Sequence, residues 1–519
     1  MAKELSKNLS ALSIRSILPN ENTDRLIIGL DFGTTYSGVA YAFTTRPDQV
    51  YSVTEWPGAV GRTVPKAPTI LKYDTDERKV PKHYLETLAK QFVISVPAVW
   101  SDKAKDTTLR AARHAGIGPI QLIKEPEAAA MSTLHDLKDH GLSIGDAITI
   151  CDAGGGTVDL VSYEILKLRP LELKELVPPT GGIAGSMIIN KRFEQWIKDT
   201  VGERSFQDLK ITNGYRLAMK QFDEVIKPGF RSKEDDDQYI TFTMAKIKHK
   251  PLKYIKASTL TLTGEAMHGI FEPVFKDIDK LIARQVAQVR IKRLQEGHPK
   301  GAEIKAIFLV GGFGANAYLR DAVVAAHKDI QVIQPNDAWS AIVRGAVLSK
   351  LPQEALVVSS VAERHYGVSA GAEWDYYRDK GRENEKFWDK YEEVYRIRTL
   401  AWYIHKHDDL KRSRHIKFPF HNTFSLDPQL KEYKQMYMLQ MCASDTAPVH
   451  STKEIKTCCL LKIDLSVVDK DMVQKVQRAS DGRWYLRIDF NLIVKIEGAR
   501  MVFTFECGGK EYGAVEAEY

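Results

Sequence analysis

One pattern, written twice, constrains this chain more than any other feature. Residues 26–43, LIIGLDFGTTYSGVAYAF, carry an apolar run into Asp31, then Gly33-Thr34-Thr35, and turn apolar again from Val39. Residues 148–163, ITICDAGGGTVDLVSY, repeat it, with Asp152, Gly154-Gly155-Gly156-Thr157 and a second apolar run. Each reads as strand, tight glycine turn, strand. The strand tip delivers one carboxylate, and the turn offers converging backbone N–H groups and hydroxyls. Such a patch suits a phosphate, while the carboxylate can hold a metal through water. Gly and Thr also build ordinary hairpins, so the first copy alone is as consistent with a plain turn.

A third glycine turn, Gly311-Gly312-Phe313-Gly314, follows the apolar strand 304–310. Neither G-x-G-x-x-G nor a Walker A lysine occurs, which argues against a dinucleotide fingerprint and a P-loop. Two similar strand–turn–strand units suggest two lobes that clamp a nucleotide between them, with Asp31 and Asp152 bracketing one Mg²⁺.

At 519 residues the chain exceeds one core and should form two to four domains. Its net charge of +7 is small for this length and comes without a long Lys/Arg run, so neither nucleic acid nor membrane is an expected partner. Cys151, Cys442, Cys458, Cys459 and Cys507 show no C-x-x-C spacing. They read as reduced thiols in the cytoplasm, with the nucleus as the alternative. No apolar run approaches a membrane span. Residues 1–24 read as a flexible, solvated tail.

Along the chain, strands are expected from Leu26 to Tyr73, the last near 68–71, and a short helix around Tyr84–Lys90. The strand Phe92–Val96 follows, then a helix over Asp102–His114 capped by Ser101 or Asp102, with Gly116 beyond its end. Pro126 suits the first turn of a helix opening at Lys124-Glu125-Pro126-Glu127. Further helices are expected near Ser186, over 213–227 up to Pro228-Gly229, along an apolar stripe from Ile270 to Val289, and over Trp339–Leu351. Strand alternation covers Tyr239–Leu262. After Pro352 the charged, aromatic stretch 371–398 reads as a loop or irregular insertion. The end is β: Leu486, Ile488, Phe490, Leu492, Val494 and Ile496 alternate with polar residues. Met436, Met438 and Met441 read as strand residues that pack rather than line a peptide groove.

These segments, in order, carry a resemblance. GLDFGTTYSGVAY, VPAVWSDKAKDTTLRAARHAGI, LIKEPEAAA, DAGGGTVDL, LVGGFGANAYLR and PNDAWSAIVRGAVL together resemble the Hsp70 chaperones of the actin/hexokinase/Hsp70 ATPase superfamily. The divergent fungal type, akin to the Hsp70 family member 12 branch, is the most similar. The resemblance implies a two-lobed, actin-like (ribonuclease H-like) α/β fold with mixed five-stranded sheets over residues 25–352. Lobe I would take about 25–140 and 336–352, and lobe II about 147–335. Residues 353–519 would form a β-rich, sandwich-like domain without a helical lid.

By position, the resemblance puts Gly33, Thr34, Thr35 and Tyr36 on the β- and γ-phosphates, with Gly154, Gly155, Gly156 and Thr157 gripping from the other lobe. It implies Asp31 and Asp152 for Mg²⁺, Glu125 and Asp159 for the attacking water, Gly182 on the phosphate side and Gly311 and Gly312 at adenosine. Pro97 and Lys105 match an interlobe relay. Each has a plainer reading: Asp159 as a polar residue of the return strand, Glu125 as a helix-start carboxylate. Lys227 is at least as consistent with a surface lysine.

The chain departs from the family in three places. The short connection 74–91 replaces an upper-cleft subdomain that carries a phosphate-side lysine; Lys66 or Lys72 could take its place, although spacing does not say so. Phe313-Gly314-Ala315-Asn316 lacks an arginine to stack on adenine. Val357-Val358 only faintly echoes the interdomain linker. The expected function is an ATP- and ADP-binding, Hsp70-like monomer with weak Mg²⁺-dependent ATPase activity, unfolded polypeptide clients and co-chaperones. The alternatives are a non-hydrolysing nucleotide-binding interaction protein and a sugar kinase, for which no acceptor-binding segment is found.

Overall fold

The computed structural model describes residues 24–56, 64–69, 89–136, 141–243, 255–256, 258–351, 356–478 and 480–519. Nearly all of the expected tail, Ile70, Leu71, Lys72 and most of the connection 74–91 lie outside the described residues.

Lobe I is built on β1 (Arg25–Phe32), β2 (Tyr36–Phe43), β3 (Tyr51–Ser52), β4 (Lys66–Pro68), β5 (Ala89–Val96) and β6 (Ile120–Lys124). Its strand order is β3-β2-β1-β5-β6, with β4 paired to the turn end of β2. β1 is antiparallel to β2 and parallel to β5. The strand expected near 68–71 starts at Lys66, and Lys90, expected in a helix, lies in β5. Helix α1 (Asp102–His114) is capped as its sequence predicts: the Ser101 side chain accepts from the Ala104 N–H. Helix α2 (Glu125–Asp136) starts directly at the end of β6.

Lobe II repeats this plan with β7 (Ala147–Ala153), β8 (Val158–Leu168), β9 (Leu171–Glu175) and β10 (Thr180–Gly182). After helix α3 (Ser186–Val201) and α4 (Asn213–Gln221), strands β11 (Gln238–Thr241), β12 (Ile255–Lys256) and β13 (Thr259–Leu262) form a small separate sheet. The long helix α5 (Gly264–Gln295) leads to β14 (Ile304–Val310) and β15 (Gln331–Ile333). The order β9-β8-β7-β14-β15 matches that of lobe I, and β10 pairs with the start of β8 as β4 does with β2. The duplicated sequence is therefore a duplicated topology. The five-strand core of each sheet is as expected, but with added strands the sheets count six and eight.

Between the two large sheets, α2, packed on β7 and β8, crosses helix α6 (Ala341–Leu348), packed on β1 and β2, closely enough that a side chain at Gly345 would run into the Ala128 carbonyl. Small residues make that approach possible: Ala128, Ala129 and Ala130 are fully buried there. The α6 helix is shorter than the expected Trp339–Leu351. Residues 222–226, after α4, widen into a π-helical turn where a continuous α-helix was expected.

Residues 356–518 build two further layers. β17 (His365–Glu373), β18 (Phe387–Asp389), β19 (Val394–Ile404), β22 (Lys434–Cys442), β23 (Lys456–Asp464) and β28 (Glu516–Glu518) form one sheet. β21 (Ile416–Phe424), β24 (Gln474–Gln477), β25 (Trp484–Glu497), β26 (Arg500–Cys507) and β27 (Lys510–Ala514) form the other. Ile488, Phe490, Leu492 and Val494, every second residue of β25, share a core with Phe503, Phe505, Leu439 and Leu461, which makes a sandwich. Residues 371–398, expected to be irregular, hold β18 and the ends of β17 and β19. Strands β16 (Leu356–Val361) and β20 (Asp409–Lys411) leave the sandwich and extend the lobe II sheet, β16 running parallel to β9. Val357 and Val358 thus belong to a ladder strand. The sandwich also rests on lobe I: the Tyr366 hydroxyl donates to Asp102 at 3.2 Å, Arg412 pairs with buried Glu127 at 2.5 Å, and the Ala499 N–H donates to Leu122 at 3.3 Å.

Candidate active site

The two glycine turns meet. A Cβ at Gly155 would collide with the Thr35 side chain, and one at Gly156 would stand 3.3 Å from Thr34 Oγ1. Only glycine lets the lobes approach this closely. The N–H groups of Gly185, Ser186 and Met187, where α3 begins, donate to the carbonyls of Gly156, Gly154 and Gly155 at 3.2, 3.1 and 2.8 Å. That bonding occupies the three carbonyls of the second loop.

Around this junction lies a cavity of about 300 Å³. It brings together Asp31, Gly33, Thr34, Thr35, Tyr36, Glu125, Asp152, Gly154, Gly155, Gly156, Thr157, Gly311 and Gly312, and Pro97 also lines it. Two expected residues do not line it. Asp159 lies behind, one strand over from Asp152, with its carboxylate 3.5 Å from the Val99 N–H and bonded to the Thr157 side chain. Gly182 faces Leu281. Lys105 is buried beneath the sandwich, 3.9 Å from Asp102.

The end of the cavity near Asp31 and Asp152 is crowded with carboxylates. Asp152 is pushed up to about 7 by burial first and the charge of Asp159 next. Asp159 is raised to about 6, chiefly by burial, while its bonds to Thr157 and Val99 pull the other way. Glu125, partly open to the cavity, is raised well above its ordinary value by desolvation and then by Asp31, Asp152 and Asp159. Asp31 is already engaged: Lys66 Nζ lies 2.5 Å from Oδ2 and the Ser95 hydroxyl donates to Oδ1 at 2.9 Å. Burial works against the Lys66 ammonium, but Asp31, Asp152 and Glu125 outweigh it and raise its pKa.

Beside these carboxylates, Gly311 takes a left-handed φ of +83° and packs on Asp152. Trp339 and Tyr36 meet edge to face at 5.6 Å. Lys227, read from sequence as at least as consistent with a surface residue, lines the cleft and pairs with Asp223 and with Asn190 Oδ1 at 3.0 Å. Asp223, in the π turn just ahead of it, stands four residues before Lys227, the spacing at which helix side chains meet. Ser95, Trp339 and Asp223 were not assigned to the site from sequence, and Lys66 was named there only as one of two stand-in lysines. They meet only through strand register and helix phase, which local motifs do not carry.

Among the described residues no three His, Cys, Asp or Glu side chains converge into a metal cage. The donor set, a few carboxylate oxygens beside an open cavity, fits Mg²⁺ retaining its waters.

The Hsp70 protein family model matches residues 70–169. Heat shock 70 kDa protein 12A of Homo sapiens is 24% identical, covering 62% of this chain and 69% of its own length. The Mus musculus 12A protein is also 24% identical, with 63% and 70% covered. Heat shock 70 kDa protein 12B of Homo sapiens is 22% identical, with 64% and 69% covered. These matches make the chain similar to Hsp70 proteins of the actin-like ATPase superfamily. The matched segment 70–169 includes β5, α1, α2 and the second glycine turn, so the cleft falls partly within it.

Proposed function

We propose that this Hsp70-like protein binds ATP with Mg²⁺ between its lobes, hydrolyses it slowly, and binds polypeptide segments through its sandwich. The observation that carries the reading is the abutment of the two glycine turns, Thr34-Thr35 against Gly155-Gly156, over buried carboxylates. Backbone donors from two lobes can then grip one polyphosphate. Asp152 and Asp31 would hold Mg²⁺ through water, and the ion would supply neutralising charge at the phosphates. Glu125 is the group to accept a proton from water: its raised affinity for protons makes its carboxylate a stronger base. Asp159 fixes the Thr157 hydroxyl from behind the cleft.

Polypeptide binding is supported by a break in the sandwich. β17 pairs with β22 only over His365–Val368, while β17 pairs with β19 on to Glu373 and β22 pairs with β23 back to Lys434. The strands part there, and Met436 and Met438, expected to pack, are 67% and 46% exposed beside the gap. An extended segment could add to such an edge, and Met side chains adapt to varied partners. Five buried free cysteines support a reducing compartment, cytoplasm or nucleus.

Single-turnover ATP hydrolysis by wild type, Asp152→Asn and Glu125→Gln tests the enzymatic part. Slow release of phosphate by wild type, reduced in both variants, is expected. Equal background rates in all three would leave a nucleotide-binding protein without turnover, a second reading favoured by the engagement of Asp31 with Lys66 and Ser95.

A further inference from the structure

We propose that Lys66 is the cation that meets the nucleotide's outer phosphates, and that it reaches them through a gap left by Gly38. The inference rests on the nucleotide reading above and begins with the duplication. In lobe II, Asp152 pairs with Asp159, and Asp159 with Gly181, so these three form one row across the sheet. The corresponding row in lobe I is Asp31, Gly38 and Lys66. The backbone plan is the same and the chemistry is reversed. Where lobe II has a carboxylate and then a glycine, lobe I has a glycine and then an ammonium.

Lys66 begins two strands from Asp31, roughly 10 Å away across the sheet. Its stem crosses the face of Gly38: a Cβ there would stand 3.1 Å from Lys66 Cγ and 3.4 Å from Cε. A β-branched side chain at 38 would press on this stem and on Val343 Cγ1, 3.2 Å from the Cβ position. The ammonium ends buried against Asp31 and lines the cavity. Among the described residues lining that cavity, Lys66 and Lys227 are the cations, and Lys227 is held on lobe II by Asp223 and Asn190.

A polyphosphate entering beside Asp31, Glu125 and Asp152 meets three carboxylates. An ammonium has three donors, so Lys66 can keep Asp31 and still offer N–H groups to a phosphate oxygen. It is already in place, so its ordering cost has been met in folding. Gly38 is the positioning residue and touches no ligand itself.

Isothermal titration of the full chain with Mg-ATP and with AMP is the test. Wild type should bind both. Lys66→Met should lose about tenfold or more in Mg-ATP affinity, the size of one charge-assisted contact. Its AMP affinity should be unchanged, and Lys66→Arg should recover part of the loss. Gly38→Val should copy Lys66→Met and add nothing to it in the double variant. If Lys66→Met fails to fold because Asp31 is left unpaired, Lys66→Met/Asp31→Asn is compared with Asp31→Asn for the same loss. Wild-type Mg-ATP affinity in the Lys66 variants, or equal loss of ATP and AMP, reduces Lys66 to a structural ion pair and overturns the proposal. Wild-type protein that binds neither nucleotide overturns the nucleotide reading itself.

Discussion

Asp152 shows how a buried carboxylate can weaken its own fold. Its carboxylate is held at about 7 and that of Asp159 at about 6, against an ordinary 3.8. Between about pH 4 and 7 the folded chain keeps protons that the unfolded chain has lost. The contribution of these groups to stability therefore falls as pH rises through that window, by about 1.4 kcal/mol per pH unit for each extra proton. Asp152→Asn should flatten the fall and raise the melting temperature of the ligand-free protein at pH 7.5. Melting curves from pH 4 to 8 check this; an unchanged slope would mean that Asp152 is solvated. Gly155→Ala should act oppositely, since its methyl group collides with Thr35. It should force the turns apart, abolishing the melting-temperature increase given by Mg-ATP.

At the scale of elements, α2 and α6 hold the lobes together through Gly345 and the Ala128 carbonyl. Gly345→Val cannot be absorbed by a rotamer change, because the obstacle is backbone. Overpacking of this kind costs about 1–3 kcal/mol or more, and urea denaturation should show the midpoint fall accordingly. What was legible in sequence follows the same division. Asp31 and Asp152 with their glycine turns could be read because strand, carboxylate and turn are contiguous. The α1 cap was legible because Ser101 sits beside the helix it caps. Lys66 could be named only beside Lys72, because its place in the cavity depends on pairing with Gly38 and on the lack of a side chain there. Asp159 looked like a cleft residue since it lies near the turn in sequence, yet its strand carries it behind Thr157. Met436 and Met438 looked like core because they alternate, and alternation cannot reveal that β17 departs from β22 at that point. The fate of Val357 and Val358 depended on β9, far away along the chain.

At the scale of the whole molecule, the sandwich is joined to the two-lobed body by a strand and by side chains. β16 extends the lobe II sheet, while Arg412 pairs with Glu127, which is only 2% exposed. Removing one partner of a buried pair costs about 3–5 kcal/mol because the other charge is stranded. Arg412→Ala should therefore loosen the sandwich from lobe I, and calorimetry should show two transitions where wild type shows one. A single transition at the wild-type temperature would mean that β16 alone suffices. The central claim, a nucleotide held between the duplicated turns, meets its most direct test in isothermal titration of the purified full chain with Mg-ATP. One site per chain with saturable heat is predicted, lost in Gly155→Ala. No heat at saturating Mg-ATP, together with no shift in melting temperature, would contradict it.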